Sequence, residues 1–172
     1  MKVAVLGLGP SISLFSPEGY DLVIGVNDIW KFYPAEVVVC IDERARFDDE
    51  RMKTIDECRP KAFYTQLNDY FERFDFHKIE LLPNLPDYIC QLNLPKYPKS
   101  MCSPFVACAV AYKDYNATEI HLYGVDLIDH PHLTTQICSQ IKIHFYNMLI
   151  ALRQNGSNLI VHGSGILSKL GQ

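Results

Sequence analysis

The chain has 172 residues, 48% of them hydrophobic and 12% aromatic, with a formal net charge of −4. That is enough apolar matter to build a core over residues 1–172 as one domain, and it argues against a disordered chain. An acidic balance without a Lys/Arg stripe excludes a nucleic-acid backbone as the expected partner. No apolar run reaches the roughly 18 residues that span a bilayer, and the N-terminus lacks a leader pattern, so a cytoplasmic protein with no transmembrane segment is expected.

In chain order, Lys2–Leu6, Asp21–Val26 and Glu36–Ile41 read as strands. They are continuous β-branched runs with no apolar–polar alternation, which points to strands covered on both faces, as in a parallel sheet. Asp48–Cys58 is a short polar helix, and Lys61–Thr65 and Lys78–Leu82 are weaker strands. Leu82–Met101 carries four prolines and reads as a long loop facing an acceptor. Ser103–Asp114 reads as a helix, with Ser103 as the cap and Pro104 in the first helical position. Glu119–Tyr123 is a strand. Thr135–Gln154 sets Ile137, Ile141, Phe145, Met148 and Leu152 on one stripe, and Asn155-Gly156 stops that helix. Asn158–Val161 is the last strand.

Strands alternating with helices predict an α/β fold, a Rossmann-like three-layer sandwich with a mainly parallel sheet. Ligands in such folds sit beyond the carboxyl ends of the strands. Those ends carry Gly7–Ser11, Asn27-Asp28, Asp42-Glu43, Gly124–Asp126 and His162–Gly165. Gly7 and Gly9 allow close backbone approach, and Pro10 and Ser11 can open a helix whose N–H groups face an anion. Ile12 stands where a G-x-G-x-x-G fingerprint needs glycine, so that fingerprint is incomplete. The bland alternative is a tight βα corner. Asn27 suits a base, ribose or phosphate oxygen, or simply a turn. Asp42 suits a ribose hydroxyl or Mg²⁺, or a solvated loop. Ser103 is a phosphate donor or just a cap.

His130 and His132 are candidate general bases, with His162 as a rival; their H-x-H spacing lacks a third metal ligand. The six cysteines (Cys40, Cys58, Cys90, Cys102, Cys108 and Cys138) form no C-x-x-C pair and read as reduced. Cys40 and Cys108 are expected in the core.

Taken in order, VLGLGPS, GVND, VVVCID, SPFVACAVAYKDYNATEIHLYGVDL and IVHGSG resemble the bacterial sialyltransferases of glycosyltransferase family 42. They also resemble the related 6-hydroxymethylpterin pyrophosphokinase-like and flagellin-modifying proteins. The most specific stretch is Ser103–Leu127. The sialyltransferase resemblance implies a CMP-sugar donor, with Gly7, Gly9, Pro10 and Ser11 under the nucleotide, and Asn27 and Ser103 on the donor. It implies no required metal or other cofactor, and a histidine base. Leu8 and Asp42 stand where that family has asparagines, and the short Leu127–Thr134 segment lacks its tyrosine-bearing lid. A carboxylate beside a phosphate needs a cation between them.

Three functions follow as expectations. The first is a small nucleotide-sugar glycosyltransferase of sialyltransferase type, acting on a glycan or other small acceptor. The second is an ATP-dependent diphosphate-transfer enzyme with Mg²⁺ on Asp42 and on Asp126, in line with the second resemblance. The third is a nucleotide-binding module without chemistry. A homo-oligomer, in which a neighbouring subunit completes an open site, is compatible with all three.

Overall fold

A computed structural model of the chain describes residues 1–42, 46, 48–58, 60–65, 79–81, 102–131 and 133–170. The expected Leu82–Met101 loop, Cys90, Glu43 and His132 lie outside the described residues. Seven strands are described: β1 (Lys2–Leu6), β2 (Leu22–Val26), β3 (Val37–Cys40), β4 (Ala62–Thr65), β5 (Ile79–Leu81), β6 (Glu119–Tyr123) and β7 (Asn158–Val161). Three α-helices accompany them: α1 (Asp49–Cys58), α2 (Ser103–Lys113) and α3 (Thr135–Gln154). Short 3-10 turns cover Pro10–Leu14 and Ile29–Lys31.

The strands form one sheet in the order β5-β4-β3-β2-β1-β6-β7. Every pairing is parallel. From β1 the chain builds outward through β2 to β5, then crosses back to lay β6 on the other side of β1. The order of winding therefore reverses between β1 and β6, which are in register from Lys2↔Glu119 to Leu6↔Tyr123. That reversal is where an open α/β sheet leaves a crevice.

Alternation along the strands divides the core. Val3, Val5, Ile24, Val37, Val39, Ile120 and Leu122 face α2 and α3. Val38, Cys40 and Phe63 face the opposite layer with Met52 of α1 and Trp30, and Ala4, Leu6 and Tyr123 face Phe15 and Ile29. This is the expected three-layer sandwich. Helix α2 is buried nearly all round, from Phe105 through Ala111, because its three alanines and its cysteine let it lie close on the sheet. Cys102 is its N-cap and Ser103 its first turn, so Ser103 is not the cap that its position in the sequence suggests.

Helix α3 follows its predicted span. Thr134 caps it by accepting from the Ile137 N–H, and Gly156 at φ 76° ends it in the left-handed region. Of its stripe, Ile141, Phe145, Met148 and Leu152 are buried. Phe145 meets Phe105 edge-on at 5.5 Å between ring centroids. Cys40 and Cys108 are fully buried, and burial pushes the Cys40 thiol up to about 12. The five described cysteines carry free thiols.

Phe145 joins the two helices of one layer and is wholly buried. Phe145→Ala should lower unfolding free energy by roughly 3–5 kcal/mol, read as a lower urea midpoint at an unchanged slope.

Candidate functional site

The loops after β1 and β6 are stitched together at the reversal point. Gly7 N–H donates to the Tyr123 carbonyl at 2.8 Å and Gly9 N–H to the Gly124 carbonyl at 2.7 Å. A side chain at Gly7 would collide with the Gly124 carbonyl oxygen, and one at Gly124 with the Gly7 carbonyl. These glycines serve a contact between two loops. The buried Asp126 carboxylate accepts from both the N–H and the Oγ of Ser11, each at 2.9 Å. Gly124 N–H donates back to Ser11 Oγ at 2.9 Å. Gly163 and Gly165 pack against the other side of Asp126.

The turn that Pro10 opens presents one N–H, that of Ser11, to an anion. The anion is the protein's own Asp126. Ser11 is therefore committed internally and is not a free phosphate donor. Ser103 is committed as well: its Oγ donates to Asn27 Oδ1 at 2.8 Å and accepts from the Ile41 N–H at 3.4 Å. Asn27 holds φ 52°, a left-handed backbone that asparagine tolerates.

Beyond the ends of β1, β2 and β3 lies a cavity of about 410 Å³. It is lined by Leu8, Asn27, Asp28, Lys31, Asp42, Arg46, Asp48, Glu50 and Arg51. Arg51, on the first turn of α1, organises its floor. Arg51 Nε lies 2.8 Å from Asp28 Oδ1 and Nη1 lies 2.9 Å from Asp42 Oδ2. Nη1 also donates to the Arg46 carbonyl at 3.0 Å, and Nη2 to Cys40 Sγ at 3.3 Å. The guanidinium fork suits two carboxylates at once. This is the cation that Asp42 needs if a phosphate is to lie nearby. Arg51 engages Oδ2 of Asp42, so a Mg²⁺ there would share that carboxylate with a guanidinium. Among the described residues, no three His, Cys, Asp or Glu converge as metal ligands.

The expected residues thus separate into two groups. Gly7, Gly9, Ser11, Gly124 and Asp126 form the closed knot, with Pro10 opening its turn. Asn27 and Asp42 line the open cavity, with Ser103 behind Asn27. The bend after β1 reaches the cavity through Leu8. Arg51, Lys31 and Arg46 were not singled out from sequence, whereas Asp28 was read with Asn27 as part of a strand end. Asp28 adjoins Asn27 at a strand end, but nothing local marks Arg51 in a polar helix. His130 is exposed on the segment after β6 and is not among the residues lining the cavity.

No protein-family model matches the chain, and no curated protein matches it. Among solved structures, a point mutant of the alpha-2,3/8-sialyltransferase CstII matches with a TM-score of 0.65 at 15% identity, covering 99% of this chain and 85% of that one. The fold is therefore one shared with a sialyltransferase. The match bears on the sialyltransferase side of the resemblance and carries nothing about the pyrophosphokinase-like side. No helix among the described residues is long and apolar enough to cross a membrane.

Substitutions at two positions test this geometry. Asp126→Ala orphans two buried donors on Ser11 and should cost about 1–3 kcal/mol for each, whereas Asp126→Asn keeps an acceptor oxygen and should recover most of the loss in the same urea titration. Arg51→Gln leaves Asp28 and Asp42 facing each other and should destabilise by about 1–3 kcal/mol at neutral pH. The same urea titration would read this loss.

Proposed function

We propose that the chain is a small glycosyltransferase of sialyltransferase type, taking a CMP-sugar donor at the carboxyl edge of its sheet. The observation that carries this reading is the cavity at the ends of β1, β2 and β3, on a fold shared with a sialyltransferase. Its lining combines an orienting amide with cations. Ser103 holds Asn27 Oδ1, so the Asn27 amide N–H₂ is the group left for a donor oxygen. Lys31 and Arg46 would meet the phosphate, and Arg51 keeps Asp28 and Asp42 from repelling it.

In the reaction, the bond from the anomeric carbon to the phosphate oxygen breaks and CMP departs with the electron pair. The acceptor oxygen, on a glycan or other small hydroxyl compound, bonds to that carbon. Its proton passes to a general base, for which the sequence candidates are His130, outside the described cavity lining, and His132. The charge growing on the leaving phosphate falls to Lys31 and Arg46, so the chemistry asks for no metal. Supporting this reading over ATP–Mg²⁺ chemistry is the engagement of Asp42 by Arg51.

Thermal shift with CMP, and with ATP plus Mg²⁺, tests it. CMP should stabilise the protein without metal, and Asn27→Ala should weaken CMP binding by about tenfold. A strict Mg²⁺ requirement, or stabilisation by ATP–Mg²⁺ alone, would refute the donor assignment. With a CMP-sugar, loss of the correct histidine should lower kcat by about 10²–10⁴. CMP binding without turnover, unchanged by His130→Ala or His132→Ala, would leave a nucleotide-binding module.

A further inference from the structure

On the sheet face away from α2 and α3, the β6–β7 corner carries polar rings that the proposed reaction does not use. Glu119 Oε1 lies 2.6 Å from His121 Nε2, and His121 Nδ1 lies 2.8 Å from His162 Nε2. His121 is buried. The His162 ring stacks on Tyr123 at 4.1 Å and 6°. Among the described residues, the other groups facing this corner are Tyr20, 5.3 Å from His121 and bonded to the Tyr123 hydroxyl, and Lys2, 3.5 Å from Glu119 Oε1 and over the Tyr20 ring.

Glu119 is an acceptor, so His121 Nε2 must carry a hydrogen. Between His121 Nδ1 and His162 Nε2 there is then room for one proton only. Whichever ring holds it, the other must offer a bare nitrogen. If both rings are protonated, two N–H groups face each other across 2.8 Å and the bond is lost. His162 is also the root of the segment that packs on the reversal-point knot. Gly163 abuts Ser11 and Asp126, and Ile166 N–H donates to the Asp126 carbonyl at 2.9 Å.

We propose that the His121–His162 bond is an acid-released latch. It fastens the segment after β7 to β6, and through it to the Ser11–Asp126 knot, at neutral pH, and lets go when both imidazoles are charged. Burial, then His121 and Lys2, hold the His162 pKa below its ordinary value of 6.5. A histidine lowered on folding binds fewer protons native than unfolded. Its contribution is therefore fully present above the unfolded value and is lost as pH falls through the folded one.

The test needs no ligand. His162→Gln keeps a side-chain N–H for His121 Nδ1 but cannot titrate. Between about pH 7.5 and about pH 5, the wild-type Tm should fall by about 2–4 °C more than that of H162Q. Amides of residues 163–168 should show faster exchange in acid, after correction for intrinsic rates, in the wild type alone. Equal pH dependence in the two proteins overturns the proposal. Should H162Q not fold, the imidazole NMR titration of the wild type decides. Two coupled steps, the second below the ordinary histidine range, support the latch, and two independent titrations near about 6.5 overturn it.

Discussion

The carboxylate of Asp126 sets the character of the whole carboxyl edge. An open α/β sheet leaves its crevice where the winding reverses, and the turn after the first strand offers N–H groups to whatever anion comes there. In this chain the anion is built in. Asp126 takes the Ser11 N–H and hydroxyl, Ser11 takes the Gly124 N–H, and the glycines at 7 and 124 let the two loops touch. A buried carboxylate persists when its hydrogen bonds replace lost water, and here they come from backbone and side chain together. The loops after β1 and β6 are thereby joined to each other.

The described cavity lies on the other side of β1 from this knot. The cavity spreads over the ends of β1, β2 and β3, and its charge is organised by one guanidinium. Without Arg51, Asp28 and Asp42 would make that side hostile to a phosphate. With it, the lining becomes a mixed surface on which Lys31 and Arg46 are available to shape the field. A metal at Asp42 would have to share its carboxylate with that cation. One ion-pair network therefore sets the charge of this wall.

The two faces of the sheet are put to different uses. The face under α2 and α3 is an apolar seam of valines, isoleucines and the Phe105–Phe145 contact. The opposite face, at β6 and β7, holds hydrogen-bonded and stacked rings. A strand's alternation makes both possible in one segment: in Glu119–Tyr123, Ile120 and Leu122 enter the seam while Glu119, His121 and Tyr123 build the polar corner. The polar corner joins the knot through Gly163, so the carboxyl edge and the sheet face form one connected structure.

Much of the architecture was legible in the residues alone. The β-branched runs, the apolar stripe of Thr135–Gln154 and the Asn155-Gly156 stop are all decided by neighbours within a turn or two, and elements follow from such local preferences. Asn27 and Asp42 were legible as strand-end residues, and the structure sets both on the cavity wall. What Ser11, Ser103 and Arg51 do was not legible. Ser11 and Asp126 are 115 positions apart, Ser103 and Asn27 are 76, and Arg51 and Asp28 are 23. A helix needs only its own sequence to be recognised, whereas a hydroxyl or guanidinium acquires its role from whichever distant partner the folded sheet sets within about 3 Å of it. The tertiary structure alone decided that the turn after β1 grips the protein's own carboxylate, and that the open space lies beside it.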